Sequence, residues 1–291
     1  MALDPRALED KARKALQGAS GGFSFFSNKE EKYQNAADLY VQAANAYRIE
    51  RLSKEAGDCF KAAAEIHRNY LNEPDDAANQ MIDAFKVYRK DYPEEAIKCI
   101  VSAIERYKQK GNFRRAASHL ENAAELLEET HDTKRAIQFY SDAGTFYDDD
   151  NAKALGNKNW LKVADLSGLN GDYLTAMKLY EKVADASLDN HLMKYSIKDY
   201  WLKAGICALA SGDIVTAKRN LETYQAKDPT FSGQRECRLL VDLVDALEQK
   251  DEVTFGDKLF EYNQMSPLDA WKMQLLVKVK NDLDEAANEF S

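Results

Sequence analysis

The chain is short of the residues that break helices or staple small folds, with 5 prolines, 13 glycines and 4 cysteines in 291 residues. So few prolines and glycines, beside abundant Ala, Leu, Glu and Lys, disfavour a turn-rich β fold and favour helix. Cys59, Cys99, Cys207 and Cys237 include no C-x-x-C pair. That excludes an obvious disulfide framework or thiolate zinc site and points to reduced thiols. No apolar run approaches the roughly 20 residues that cross a bilayer, and the amino terminus carries no secretory apolar segment. No Asn-x-Ser/Thr sequon is present either, so the expected compartment is the cytoplasm.

Positive charge is also in deficit: 40 Lys and Arg against 49 Asp and Glu leave a net charge of −9. Phosphate would be repelled overall, which argues against nucleic acid as a partner. Catalytic signatures are missing as well. There is no Walker A sequence and no G-x-G-x-x-G. His67, His119, His131 and His191 are scattered, without HExxH or Cys/His ligand spacing, so neither metal nor cofactor is expected. Gly18-Ala19-Ser20-Gly21-Gly22 formally matches a nucleophile elbow, but the elbow needs a strand before its serine, and here a helix precedes it. Carboxylate pairs such as Glu94-Glu95 are usually just solvated on a charged helical surface. The sequence suggests no enzyme.

What is present is a phrase repeated about every twenty residues, with small residues and aromatics at helical spacing. Ala36-Ala37-Asp38-Leu39-Tyr40 with Ala43-Ala44, Glu55-Ala56-Gly57-Asp58-Cys59-Phe60 and Asp76-Ala77-Ala78 are early copies. Glu95-Ala96-Ile97, Arg115-Ala116-Ala117, Arg135-Ala136-Ile137 and Thr175-Ala176-Met177 continue the series. Such self-similarity predicts an all-α, tetratricopeptide-like, right-handed solenoid of antiparallel helix hairpins with a C-terminal helical bundle as cap. The expected segments are 1–32 (a helix starting at Asp4-Pro5, then a hydrophobic loop), 33–228 (the repeats) and 229–291 (the cap with an acidic tail). Turns are marked by Asn72-Glu73-Pro74, Asp91-Tyr92-Pro93, Gly111-Asn112, His131-Asp132, Gly171-Asp172 and Gly212-Asp213.

Three features exceed what packing needs. Phe23, Phe25 and Phe26 lie in a Gly/Ser-flanked loop; they either fold back on the first repeat or form an apolar patch for a membrane or protein. Nine bases recur near helix ends: Arg48, Arg51, Arg89, Lys90, Arg114, Arg115, Lys158, Lys162 and Lys198. They are either scattered solvated charges or a basic stripe suited to an acidic, extended partner. The carboxy-terminal stretch, with Asp284, Glu285 and Glu289 before Phe290, is either a frayed helix end or an acidic, apolar-tipped docking segment.

The chain resembles the soluble NSF attachment proteins of the alpha type over nearly its whole length. The resemblance rests on Ala36-Ala37-Asp38-Leu39-Tyr40, Lys54-Glu55-Ala56-Gly57-Asp58, Pro93-Glu94-Glu95-Ala96-Ile97 and Gly111-Asn112-Phe113-Arg114-Arg115-Ala116. Asn157-Lys158 with Leu161-Lys162-Val163-Ala164, Lys194-Tyr195-Ser196-Ile197-Lys198-Asp199-Tyr200, Phe231-Ser232-Gly233-Gln234 and Leu268-Asp269-Ala270-Trp271 extend it.

The resemblance implies a non-enzymatic adaptor, without cofactor, that coats the four-helix SNARE bundle (syntaxin-type and partner SNAREs) through a basic concave face. It implies recruitment and stimulation of the hexameric AAA ATPase NSF, which disassembles the bundle at the expense of ATP during vesicle trafficking and membrane fusion. By that resemblance Arg48, Arg51, Arg89, Lys90, Lys158, Lys162 and Lys198 would contact SNAREs; Ser118 stands where some relatives have lysine, and Arg114 and Arg115 are expected to compensate for it locally. Phe23, Phe25 and Phe26 would touch the membrane surface. Asp213, Asp245 and Glu248, with Asp284, Glu285, Glu289 and Phe290 of the tail, would face NSF. Gln249 replaces a further acid, and Phe290 holds the place of a leucine. The implied location is cytoplasmic, peripheral on membranes of the secretory and endosomal pathway. The alternative is a generic tetratricopeptide-like scaffold or co-chaperone binding short peptides, which needs neither the phenylalanine loop nor the acidic end.

Overall fold

A computed structural model describes residues 4–20, 29–190 and 193–288. Among these residues, regular structure is helical throughout: α1 (Pro5–Ser20), α2 (Lys29–Ile49), α3 (Ser53–Ile66), α4 (Pro74–Tyr88), α5 (Pro93–Gln109), α6 (Phe113–Glu129), α7 (Thr133–Asp149), α8 (Lys153–Leu169), α9 (Tyr173–Ser187), α10 (Lys194–Ala210), α11 (Ile214–Lys227), α12 (Arg235–Gln249), α13 (Glu252–Met265) and α14 (Ala270–Asn288). None is long and apolar enough to cross a membrane. The chain divides into two compact units, Met1–Lys153 and Ala154–Ser291. That division falls inside the repeat region, where the hairpin pattern runs on without a break in the sequence.

The helices stop and restart by one recurring device. A residue one or two places past a helix takes the left-handed conformation, and the next amide bonds back five residues in a Schellman turn. Leu52 N–H donates to Tyr47 C=O at 3.0 Å with Arg51 at φ 61°, and Asn112 N–H to Tyr107 C=O at 2.9 Å with Gly111 at φ 71°. The residue after the turn often caps the next helix. Asn112, Asp132, Asp172, Asp213 and Asp251 each accept the amide N–H three residues on. Two hairpins use proline instead, Pro74 and Pro93, at the first turn of α4 and α5. Ser20 is the last residue of α1 and donates its hydroxyl to Gln17 C=O, so no strand leads into it.

In the first unit, consecutive helices pack antiparallel and bury the repeated alanines. Ala36, Ala37, Ala43, Ala56, Ala63, Ala96, Ala116, Ala117, Ala123 and Ala136 are wholly inaccessible. Small side chains at these crossings let the backbones approach, and the aromatics between them supply most of the apolar area. Buried tyrosines then reach carboxylates on neighbouring helices: Tyr47 hydroxyl to Glu9 at 2.8 Å, Tyr88 to Asp58 at 2.6 Å and Tyr147 to Glu121 at 3.0 Å. Burial and these carboxylates hold the tyrosine hydroxyls protonated far above neutral pH, with Tyr147 raised to about 12.

The unit has two layers. Lys61 of α3 pairs with Glu95 of α5 at 3.0 Å, and Arg135 of α7 pairs with Glu94 of α5, which puts α3, α5 and α7 side by side. Arg89, just after α4, pairs with Glu129 of α6 at 2.7 Å, and a cleft is lined jointly by α2 and α4, which defines the other layer.

The second unit has its own two layers. Lys203 of α10 binds Asp165 of α8 at 2.7 Å, and Tyr224 of α11 donates to Glu181 of α9 at 2.6 Å. α10 is its spine, burying Trp201, Leu202, Gly205 and Cys207 among α9, α11, α12 and α14. Trp201 stacks on Tyr224 with centroids 5.3 Å apart and meets Phe231 edge-on. α14 is anchored by Trp271, whose indole N–H donates to Asp165 C=O at 2.8 Å and whose ring lies edge-on to Tyr180.

Candidate functional site

Six of the nine bases lie in the first unit, all on or beside the α2, α4 and α6 layer. Arg48 is in the last turn of α2 and Arg51 in the joint after it; Arg89 and Lys90 follow α4. These two joints are neighbours, because Ser53 at the start of α3 donates its hydroxyl to Asp91 at 2.6 Å. Arg48, Arg51 and Lys90 are exposed and form no ion pair with any described residue. Ile49 between them is 82% exposed, although a residue of this size normally leaves water. Arg89 is half-buried and held by Glu129, with Glu125 at 3.9 Å.

Arg114 and Arg115 share that layer but not that edge. They open α6, whereas Arg89 is bound at its far end, roughly 20 Å away at about 1.5 Å per residue. Arg114 pairs with Asp150 at 2.7 Å, and the Arg115 guanidinium lies 4.5 Å from the centre of the Tyr107 ring. The structure therefore brings four bases together and sets two apart. Ser118 is exposed on α6, and its carbonyl accepts from the Asn122 side chain.

In the second unit, Lys158 and Lys162 stand one turn apart on α8, the first exposed and the second half-buried. Lys198 is on α10 in the same layer and pairs at 2.9 Å with Glu236, whose carboxylate is largely buried. Lys198 also lines a cleft of about 440 Å³ with Lys194, Tyr195, Trp201 and Phe231. Tyr195 is 84% exposed there, while the buried Trp201 indole nitrogen meets no acceptor among the described residues. Sequence spacing singled out neither Lys194 nor Tyr195 as a site, because both fit the packing pattern of a repeat.

The acids converge at one end of the second unit. Asp213 lies at the α10–α11 joint, Asp245 and Glu248 in the last turns of α12. Lys218 in α11 ties the two places together through Glu248 at 2.6 Å. α14 arrives at the same end: Lys278 donates to Ala210 C=O at 3.4 Å, and Lys280 pairs with Glu252 at the start of α13 at 2.9 Å. Asp284 and Glu285 follow one turn later. Partial burial and the facing Glu252 carboxylate hold Asp284 above the usual carboxylate range. Asp213 sits below it, because its carboxylate caps α11 by accepting the Thr216 amide at 2.8 Å. Val215 and Val253 stand beside these acids, 79% and 72% exposed, and the sequence pattern did not mark them. Phe23, Phe25, Phe26, Glu289 and Phe290 lie outside the described residues.

One cluster is not apparent from the sequence. His67, Glu73 and Asp76 bring ligand-type atoms within 4.8 Å of one another.

Comparison with known proteins identifies the family. The model of the soluble NSF attachment protein family matches residues 3–284. The chain belongs to the soluble NSF attachment protein family. It is 55% identical over 292 residues, covering 100% of both chains, to a probable vesicular-fusion protein sec17 homolog of Neurospora crassa. It is 36% identical to the alpha-soluble NSF attachment protein of Saccharomyces cerevisiae, over 98% of this chain and 99% of the relative. The human alpha-soluble NSF attachment protein is 33% identical over 95% of this chain and 94% of its own. The family and its vesicular-fusion relatives are adaptor proteins and not enzymes.

Proposed function

We propose that this chain is the adaptor that couples assembled SNARE complexes to the ATPase NSF in vesicle fusion. Family membership over 3–284 supports the class of function, as do relatives named for vesicular fusion and NSF attachment. The observation that carries the mechanism is the sorting of charge in a chain of net charge −9. The candidate bases Arg48, Arg51, Arg89 and Lys90 lie on one helix layer of the first unit, and Lys158, Lys162 and Lys198 on one layer of the second. Acids gather at one end of the second unit, at Asp213, Asp245, Glu248, Asp284 and Glu285.

In this reading the cations hold the acidic flank of a SNARE four-helix bundle, and the acids, with Glu289 and Phe290 beyond them, dock on basic ground of NSF. Arg114 and Arg115 face the bundle from the other edge of the first unit. Phe23, Phe25 and Phe26 add contact with the membrane that carries the SNAREs. Three phenylalanines at about 1.5–3 kcal/mol each support weak, reversible contact and not permanent anchorage.

The test is capture of partners by the full chain from cytosol and detergent-solubilised membranes. SNAREs and NSF should be retained together with non-hydrolysable ATP analogue and released from one another with ATP. Retention of neither, or no effect of the nucleotide, would reject the adaptor role.

A further inference from the structure

The π-helical turn His67–Leu71 interrupts the regular end of α3. π-helical turns are rare and gather at functional sites. The turn is held against α2 by Tyr70, which stacks on Tyr33 with ring centroids 4.4 Å apart. Asn72 then takes the left-handed conformation at φ 58°, and Glu73 N–H bonds back to His67 C=O at 2.8 Å. This reversal carries the Glu73 carboxylate onto the His67 ring, with Oε2 2.8 Å from Nδ1. Asp76 follows in the first turn of α4, within the same 4.8 Å cluster.

The surroundings are unusual in charge. The cleft of about 540 Å³ over this cluster is lined by Asp38, Glu73 and Asp76 with Gln34 and Gln80, and by no lysine or arginine. The next carboxylate, Asp75, is bound by Arg106 and Lys110, yet Asp76 has no basic partner among the described residues. Gln80 Oε1, lining the same cleft, is buried and accepts no hydrogen bond from any described residue. A buried imidazole 6% exposed, an orphaned amide oxygen and uncompensated carboxylates together want a cation.

We propose that His67, Glu73 and Asp76, with Gln80 beside them, bind a divalent transition-metal ion of the zinc class. Ligand atoms round one Zn2+ at about 2.0–2.2 Å lie roughly 3–4 Å apart, so the observed cluster needs only small rotamer adjustments. The imidazole selects a transition ion over Mg2+ or Ca2+, which prefer oxygen alone. The bound ion would clamp the π-helical turn to the start of α4. This inference stands apart from the adaptor reading and does not depend on it.

The experiment is calorimetric titration of the full chain with Zn2+, repeated with Co2+ while its visible spectrum is recorded. One equivalent should bind, with weak d–d bands and no thiolate charge-transfer band, and the thermal midpoint should rise with metal. D76N should weaken binding at least about tenfold, while D75N, at the paired neighbour, should leave it unchanged. H67N should act as D76N does; if H67N misfolds by circular dichroism, the exposed Asp76 position decides. No binding, equal binding by D76N, or a thiolate band placing the ion on cysteine would overturn the proposal.

Discussion

Gly57 of α3 lies against the ring of Tyr88 at the end of α4: a methyl group built on it would come within 2.2 Å of Tyr88 Cζ. Neither partner has room to yield, because Tyr88 is fully buried and its hydroxyl is bound to Asp58. The Gly57→Ala substitution should therefore destabilise the chain by about 1–3 kcal/mol, the usual range for overpacking. Gly18 in α1 has nothing within 4 Å of such a methyl. There alanine should be neutral or stabilising by up to about 1 kcal/mol through helix propensity. Urea midpoints of the two variants check both signs; a neutral Gly57→Ala would mean that α3 and α4 do not cross as described.

Asp213 has a structural duty that any functional test must separate. Its carboxylate caps α11 through the Thr216 amide. Asp213→Ala should cost about 0.5–2 kcal/mol of stability, whereas Asp213→Ser keeps a capping oxygen and should cost little. If the acid end docks on NSF, both variants should lower SNARE-stimulated ATP hydrolysis, the serine variant without loss of stability. Unchanged hydrolysis with Asp213→Ser would confine this residue to capping.

His119 gives the fold an acid limit. Burial, with Arg115 and Lys86 nearby, lowers its pKa to about 4, and both ring nitrogens lack partners among the described residues. The folded state therefore prefers the neutral ring, and the unfolded state takes up the proton first. Its contribution is undiminished above about pH 6.5 and declines as pH falls from there towards 4. His119→Phe, which keeps the stacking on Tyr107, should flatten the stability profile in that window; an unaltered slope would contradict the assignment.

The four cysteines are free and buried. Burial pushes the thiol of Cys59 up to about 12 and that of Cys99 to about 11, so little thiolate exists at neutral pH. A thiol-specific disulfide reagent should label the native chain slowly and all four sites on denaturation. Rapid native labelling would place a cysteine at the surface.

Much of the fold is legible in the sequence, and the exceptions have physical causes. The alanine phrases mark the helix crossings, because small side chains recur wherever two helices meet. The joints at Gly111-Asn112, Gly171-Asp172 and Gly212-Asp213 are legible since glycine tolerates positive φ and the Asn or Asp after it caps the next helix. The joint at Arg51 is not, because the same left-handed position is there held by an arginine. The π-helical turn at His67 has no compositional signature, so the meeting of His67 with Glu73 and Asp76 stays hidden. The nine bases are visible as a set, but their sorting is not. Arg114 and Arg89 lie at opposite ends of one layer only because the helices alternate in direction. The convergence of Asp284 with Asp213 likewise depends on how α14 folds back, which Trp271 and Lys278 fix through contacts far apart in sequence.

Electrostatic capture of an acidic rod by the exposed bases of the first unit is the core of the proposed function. Its most direct test is the affinity of the full chain for a soluble SNARE four-helix bundle, measured across salt concentration for the native chain and for a triple charge reversal of Arg48, Arg51 and Lys90. Native affinity should fall steadily as salt rises, and the triple variant should bind weakly at low salt with a much flatter dependence. Native binding that ignores salt, or a triple variant that binds as tightly as the native chain, would contradict it.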